Sequence, residues 1–210
     1  MDVLVSMTLE PVTLVGLRVR LEPLGQQHAA ALEPIALDPR VNHYLAFAIT
    51  TPAQFAAWMD ASLAAGVRGD EVSFAIIDRD SGAVVGTTRY RDVQRVHRCV
   101  EIGSTFLDPA SWRTAVNTEA KYLMLRHLFD GPSVNCVRAW LKTDLLNLRS
   151  QRAIERLGAV REGVLRKHMI VGGGRYRDSV VYSILHDEWP AVQVHLEHKL
   201  RARPRATPSP

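Results

Sequence analysis

Two polar side chains, Asn147 and Ser150, lie at the start of a segment with helical periodicity, directly after the strand-like run 134–142. Proteins that combine strands and helices often bind ligands where a strand ends and a helix begins, so this position suits a binding site. Asn147 can cap the helix, and Gly158 can end it in a left-handed conformation. Capping does not explain Ser150, since a serine one turn into a helix tends to weaken it. Both side chains are therefore candidates for function.

The elements that would position this pair follow from the spacing of apolar residues. Alternation of apolar and polar residues and apolar runs predict strands at 17–22, 72–78, 84–90, 98–106, 134–142, 160–171 and 176–186. Caps, breakers and apolar stripes predict helices at 26–37, 52–65, 118–130, 147–158 and 187–200. This order predicts an α/β (α+β mixed) fold, with a mixed sheet that carries helices on both faces.

The composition is typical of one globular domain, since the 210 residues are 47% hydrophobic and 23% charged. We expect that domain at residues 1–200, followed by a disordered, basic, proline-containing tail at 201–210. No apolar run approaches the roughly 20 residues that span a bilayer, and the first residues lack the features of a signal peptide. These features predict a cytoplasmic protein without a membrane partner. The excess of arginine over lysine is typical of GC-rich bacterial genomes.

Other residue types offer little chemistry. Cys99 and Cys136 are expected to be reduced thiols, because a disulfide would require adjacent strands and an oxidising compartment. His195 and His198 have helical spacing, but two histidines on a terminal helix are a weak signal for a metal, so we expect no metal site. The arginines of the tail could contact RNA weakly, although simple solvation explains them as well.

The pattern Asn147-x-x-Ser150, with Leu157-Gly158 closing the helix, resembles the GNAT superfamily of acetyl-CoA-dependent N-acetyltransferases. Within it, the chain is most similar to the branch that contains the ribosomal-protein N-terminal acetyltransferases. Further motifs carry the resemblance from about residue 15 to 190, at 101–103, 107–109, 112, 117–120, 163–166 and 178–182. The resemblance implies a mostly antiparallel, twisted sheet of about seven strands, whose splayed central strands hold acetyl-CoA.

The resemblance also implies which residues bind the cofactor. A loop that leads into a helix presents unpaired backbone N–H groups and a positive dipole end, which together bind phosphate. The expected cofactor-binding residues are Phe106, Leu107, Trp112, Arg113, Thr114, Ala115, Val116, Asn117, Thr118, Asn147 and Arg152. Asn117 or Thr118 could cap the helix. Arg149 and Arg152 could reach the 3′-phosphate of coenzyme A or could simply be surface charges.

The phosphate loop departs from the family pattern at Ala115, which stands where the family has a central glycine. If that position requires a positive φ, alanine costs on the order of 1 kcal/mol. Two hypotheses therefore remain open. One is an active N-acetyltransferase, and the other is a catalytically degenerate module that binds coenzyme A or a protein partner.

Acetyl transfer from a thioester to an amine requires a neutral amine, a stabilised oxyanion and protonation of the departing thiolate. An α-amine with a reference pKa of about 7.7–8.0 needs no strong base, and approximation supplies much of the acceleration. The resemblance implies that Ser150 donates the proton, although its hydroxyl could instead bond its own helix. Glu101 could accept the amine proton, or it could pair with Arg89 or Arg91 to organise the sheet.

The acceptor site is expected between the first two helices and the last hairpin. Aromatic residues that could line it or belong to the core are His43, Tyr44, Phe47, Tyr90 and Tyr176. Of these, Tyr44, Tyr90 and Tyr176 are the predicted substrate-binding residues. The acceptor could be a protein N-terminus or a small-molecule amine, acetylated directly in a ternary complex by a monomer or a homodimer.

Overall fold

The computed structural model describes residues 6–47 and 49–202. Its strands are β1 (Leu14–Val15), β2 (Val19–Pro23), β3 (Val72–Asp78), β4 (Val84–Gln94), β5 (Cys99–Leu107), β6 (Arg138–Asp144), β7 (Val160–Val171) and β8 (Arg175–Leu185). Its helices are α1 (Ala29–Leu37), α2 (Pro39–Asn42), α3 (Pro52–Val67), α4 (Val116–Asp130), α5 (Leu148–Glu155) and α6 (Trp189–Arg201). The predicted mixed α/β fold with a mostly antiparallel sheet is confirmed. Of the expected tail, residues 203–210 lie outside the described part of the chain, and Arg201 belongs to α6.

Several elements differ from the sequence predictions, among them the short helix α2, which was not predicted. The two-residue strand β1 is too short to show alternation, and it raises the number of strands from about seven to eight. Strand β6 begins at Arg138 rather than at residue 134, because the preceding residues bond to the end of α4. The Val134 and Cys136 N–H groups donate to the carbonyls of Gly131 and Leu128.

The sheet has the order β1-β2-β3-β4-β5-β6-β8-β7, and only the pair β5 and β6 is parallel. That parallel ladder joins just three pairs of residues, from Cys99–Arg138 to Glu101–Trp140. Beyond Glu101 and Trp140, β5 and β6 no longer pair with each other, although β5 stays paired with β4 and β6 with β8. The two central strands therefore diverge and open a cleft in the middle of the sheet, as the resemblance implied.

A bulge in β5 lies beside this cleft. The register with β4 shifts between Thr87 and Arg89, and Ser104 adopts a left-handed φ of 47°. Bulges bend a strand and re-aim its side chains, and they are common next to functional sites. After the bulge, the Phe106 side chain packs on the sheet face that carries α1 and α3.

The two faces of the sheet are covered by different helices. The larger core lies against α4 and α6 and includes Val100, Ile102, Leu123 and Leu141. A smaller core lies on the opposite face with α1 and α3 and includes Phe55. Residues that alternate with the first set along β5 and β6 must therefore face away from α4.

The N-terminal turn of α4 is held by a buried carboxylate. Glu119, which is 3% exposed, accepts hydrogen bonds from the backbone N–H groups of Leu17, Arg18 and Val19 at 2.7–2.9 Å. Asn147 caps helix α5 as predicted, and Gly158 is left-handed with a φ of 94°, although the regular helix already ends at Glu155. Within the described ranges, no helix is both long and apolar enough to cross a membrane.

Candidate active site

A cavity of about 620 Å³ opens where β5 and β6 diverge. Its walls come from the loop before α4, the first turns of α4 and α5, and the central strands. Eight of the described lining residues are cationic, namely Arg91, Arg113, Lys121, Lys142, Arg149, Arg156, Arg177 and Lys199. Glu101 is the single acidic residue among them. Such an excess of positive charge in a concave site attracts a polyanionic ligand.

The first turn of α4 presents unsatisfied backbone donors to the cavity. The N-cap residue is Ala115, which has no side-chain acceptor, so Asn117 and Thr118 do not cap the helix as expected. The helix begins two residues before Thr118, and both side chains line the cavity instead. Among the described residues, the backbone N–H groups of Asn117 and Thr118 find no acceptor. They form, with the helix dipole, a site that fits a phosphate.

The strain expected at Ala115 does not arise, because this residue has a helical φ of −78°. The left-handed residue of this loop is Arg113, which has a φ of 64°. The conditional cost at Ala115 therefore does not apply, and the left-handed conformation of Arg113 was not predicted from the sequence. Because a left-handed non-glycine residue costs about 1–2 kcal/mol, the loop is somewhat strained.

Trp112 and Arg149 join the loop to α5. The Trp112 indole N–H donates to the Leu107 carbonyl at 3.0 Å, and the Arg149 guanidinium lies 3.7 Å from the centroid of the Trp112 ring. Burial lowers the pKa of Arg149, and repulsion from Arg113 contributes in the same direction. Two cations are thus held side by side next to the open end of α4, where a polyanion would relieve their repulsion.

Most of the predicted cofactor-binding residues meet in this cavity. Those that line it are Phe106, Leu107, Trp112, Arg113, Thr114, Ala115, Asn117, Thr118 and Asn147. Val116 packs in the large core instead. Arg152 also does not line the cavity, because the helical rotation turns it away from the face shared by Arg149, Ala153 and Arg156.

Asn147 and Ser150 both line the cavity. The Asn147 side-chain oxygen accepts the Ser150 N–H at 3.0 Å, so the predicted cap is formed while the amide N–H₂ group has no partner among the described residues. The Ser150 hydroxyl likewise makes no hydrogen bond to a described residue. By contrast, the Ser62 hydroxyl donates to the Trp58 carbonyl of its own helix at 2.7 Å. The self-bonded alternative for Ser150 is therefore absent, and its hydroxyl remains available to a ligand.

Glu101 lies on the cavity wall with only 2% of its surface exposed. Its Oε2 atom is 2.8 Å from the Lys142 Nζ and 3.8 Å from the Arg91 Nε. Of the two arginines considered as partners, Arg89 pairs with Glu71 instead. Lys142 was not anticipated from the sequence, because its approach depends on the register of β6. It lies two residues beyond Trp140, the cross-strand neighbour of Glu101, and so on the same face.

The three predicted substrate-binding tyrosines do not lie together. Tyr44 lines the cavity, as Phe47 does, whereas His43 lies outside it. Tyr90 is completely buried on the α4 face and donates its hydroxyl to the Met124 carbonyl at 2.8 Å, so it is a core residue. Tyr176 is 61% exposed and lies outside the cavity, on the turn side of the last hairpin.

Comparisons with known proteins agree with this geometry. Residues 18–160 match the family model of the GNAT acetyltransferase domain. A solved structure from T. thermophilus, assigned as an acetyltransferase, is 40% identical, covers 92% of this chain and 100% of its own, and superimposes with a TM-score of 0.80.

Two further relatives extend the comparison. The uncharacterized N-acetyltransferase YoaA of Bacillus subtilis (strain 168) is 31% identical over 114 residues, which are 54% of this chain and 62% of that protein. The match thus spans less than two thirds of YoaA. RimJ of Mycobacterium smegmatis, solved in complex with CoA-disulfide, shares the fold with a TM-score of 0.78 at 22% identity, covering 91% of this chain and 96% of its own. The chain belongs to the GNAT acetyltransferase family, whose members are acyltransferases.

Proposed function

We propose that this protein transfers the acetyl group of acetyl-CoA directly to a primary amine within a ternary complex. One observation carries the proposal. The unpaired N–H groups at the start of α4, the cationic lining, Asn147 and Ser150 all converge on the cavity where β5 and β6 part. The T. thermophilus and Bacillus subtilis relatives support the reaction class.

The described residues fit coenzyme A. The N–H groups of Asn117 and Thr118, together with Arg113 and Arg149, would hold the pyrophosphate. The amide N–H₂ group of Asn147, which lines the cavity, would donate to the pantetheine arm. Bound acetyl-CoA supplies an activated thioester, and the complex of RimJ with CoA-disulfide supports a coenzyme A ligand in this fold.

The chain's own groups can serve each step of transfer. The edge of β5 beyond Glu101 is not paired with β6, so its backbone N–H groups can face the thioester carbonyl. Glu101 accepts the proton that the amine loses as the new C–N bond forms, directly or through water. The Ser150 hydroxyl gives a proton to the sulfur as the C–S bond breaks.

The non-catalytic alternative was based on the altered loop 112–117, and the helical φ of −78° at Ala115 supports the enzyme over this alternative. The proposed acceptor is a protein N-terminal α-amine or a small-molecule amine. Because the named relatives are bacterial, we also propose that the protein acts in a bacterial cytoplasm.

The test is a calorimetric titration of the purified protein with acetyl-CoA, followed by a thiol-release assay against a panel of amines and short peptides. We expect saturable binding and thiol release that depends on the amine. Absence of acetyl-CoA binding would refute the proposal. Binding without release for any amine would instead favour the non-catalytic module.

A further inference from the structure

The acceptor wall of the cavity carries a second group of charges, distinct from those near α4. Glu101, Arg91, Lys142 and Arg177 all line the cavity. Strand alternation places them on the face opposite α4, because Val100, Ile102, Leu141 and Val180 pack into the large core with that helix. The phosphate site and this charge group therefore lie on opposite faces of the sheet, joined by the gap between β5 and β6.

Arg177 is the unusual member of the group. It is only 6% exposed, and its single hydrogen bond runs from Nε to the Ser179 hydroxyl at 3.1 Å. The two terminal nitrogens of its guanidinium make no hydrogen bond to a described residue, and Arg177 forms no ion pair with a described carboxylate. Four N–H donors of a buried cation thus remain unused at the cavity wall.

The carboxylates near Arg177 are engaged elsewhere. Asp144 and Glu101 both act on its charge at longer range, but Asp144 forms its ion pair with Arg175 and Glu101 with Lys142. Burial accordingly lowers the pKa of Arg177 despite these two carboxylates. Arg177 is thus a largely buried cation without a direct counter-ion, and its terminal nitrogens reach the solvent of the cavity, where an anionic group of a ligand could pair with them.

The orientation of Arg177 is fixed by its neighbours. Ser179, which holds Nε, also contacts the His168 Nδ1 at 3.0 Å, and Met169 lies directly across the ladder on β7. The planar guanidinium is thereby held with its terminal nitrogens available to the cavity. Such a rigid fork matches the two oxygens of a carboxylate or a phosphate better than any neutral group.

We propose that Arg177 binds an oxyanion carried by the acceptor amine, so that the enzyme acetylates anionic amines, those that bear a carboxylate or a phosphate. This inference rests on the proposed acetyl transfer and names its substrate class. Lys142 and Arg91 add positive charge to the same wall, where Glu101 provides the sole negative charge among the described lining residues. Glu101 is left to receive the ammonium end of the acceptor.

The test compares matched pairs of amines in the presence of coenzyme A, with ligand binding measured by calorimetry and thermal shift. Amino acids paired with their carboxamides report on the carboxylate, and O-phosphoethanolamine paired with ethanolamine reports on the phosphate. We expect the anionic member of at least one pair to bind more tightly. Arg177→Gln should reduce this preference by about ten- to a hundred-fold, the value of a charge-assisted hydrogen bond. Arg166 is an exposed arginine of the same hairpin, and Arg166→Gln should leave the preference for the anionic amine unchanged.

The outcomes are distinguishable. Equal binding of both members of every pair, no binding of either, or a preference that survives Arg177→Gln would overturn the proposal. Acetyl-CoA affinity is measured separately and should not change in Arg177→Gln, so failure of the cofactor site would be seen independently. If Arg177→Gln is unstable, Arg177→Lys should retain the charge and lose the paired hydrogen bonds, and so lower the preference only in part.

Discussion

The two sides of the cavity are built in different ways. The cofactor side comes from two short stretches, 112–118 and 147–150, and relies on backbone N–H groups, a helix cap and one stacked arginine. The acceptor side comes from side chains on four different strands, namely Arg91 on β4, Glu101 on β5, Lys142 on β6 and Arg177 on β8. A ligand site can thus be local in sequence on one side and wholly dependent on strand register on the other.

The difference extends to how the charges are stabilised. Cations on the cofactor side, such as Arg113, are exposed to solvent, so removing one should change ligand affinity more than folding. The acceptor side holds a nearly buried ion pair, Glu101 with Lys142, whose disruption should change folding as well. Stability and binding should therefore separate on the cofactor side and change together on the acceptor side.

Lys121 lies between the two sides of the cavity, and its substitution should cause the largest change in the free energy of unfolding. Its Nζ donates to the hydroxyls of Thr88 and Thr105 at 2.7 and 2.6 Å, and burial lowers its pKa from 10.5 to about 7. Between pH 7 and 10.5 the unfolded chain binds more protons than the folded one, so this lysine makes stability rise with pH. The slope approaches about 1.4 kcal/mol per pH unit.

Lys121→Met should remove that slope. The variant should exceed the wild type in free energy of unfolding most clearly below pH 7, because the two threonine hydroxyls still bond each other at 2.8 Å. Chemical denaturation of both proteins from about pH 6 to about pH 10 measures the difference. A difference that does not shrink toward the alkaline end of this range would contradict the buried-charge explanation.

Disruption of the ion pair on the acceptor side should cause the next largest change in the free energy of unfolding. Lys142→Met leaves Glu101 buried with only the more distant Arg91, and we expect a loss of about 3 kcal/mol in unfolding free energy. Acetyl-CoA affinity should stay near the wild-type value. Arg138→Met on the same strand is the control, because its pair with Glu162 is much more exposed and should contribute less than about 1 kcal/mol. Equal losses in the two variants would show that burial of the pair does not matter.

Ser150→Ala tests the cofactor side for chemistry rather than folding. If the hydroxyl protonates the departing sulfur, kcat should fall by about a hundredfold while stability and acetyl-CoA affinity persist. The cap remains intact in this variant, because Asn147 bonds the backbone N–H of residue 150 and not its side chain. Steady-state kinetics with any accepted amine measure the effect, and an unchanged kcat would exclude Ser150 from proton transfer.

Local and long-range features differ in how far the sequence predicts them. The N-terminal end of α5 and the convergence of Asn147 with Ser150 follow from capping and from helical spacing, and both were predicted. The partner of Glu101 and the placement of Tyr90 depend on which face each strand turns toward α4, which short-range patterns do not determine. For the same reason nothing in the sequence singled out Arg177, because its isolation follows from where Asp144 and Glu101 find other cations.

Substitution of Arg113, the left-handed residue of the phosphate loop, should cause the smallest change in stability. Arg113→Gly should relieve strain of about 1–2 kcal/mol, partly offset by the greater freedom of glycine in the unfolded chain, so we expect it to be about 0.5 kcal/mol more stable than Arg113→Gln, which loses the same side-chain interactions. The same variant should weaken acetyl-CoA binding a few-fold through the lost charge, measured by calorimetry. Arg113→Gln should weaken binding equally without the gain in stability, because glutamine retains the strain. If both variants instead lose stability together, the cofactor side would be coupled to folding in the way that the acceptor side is.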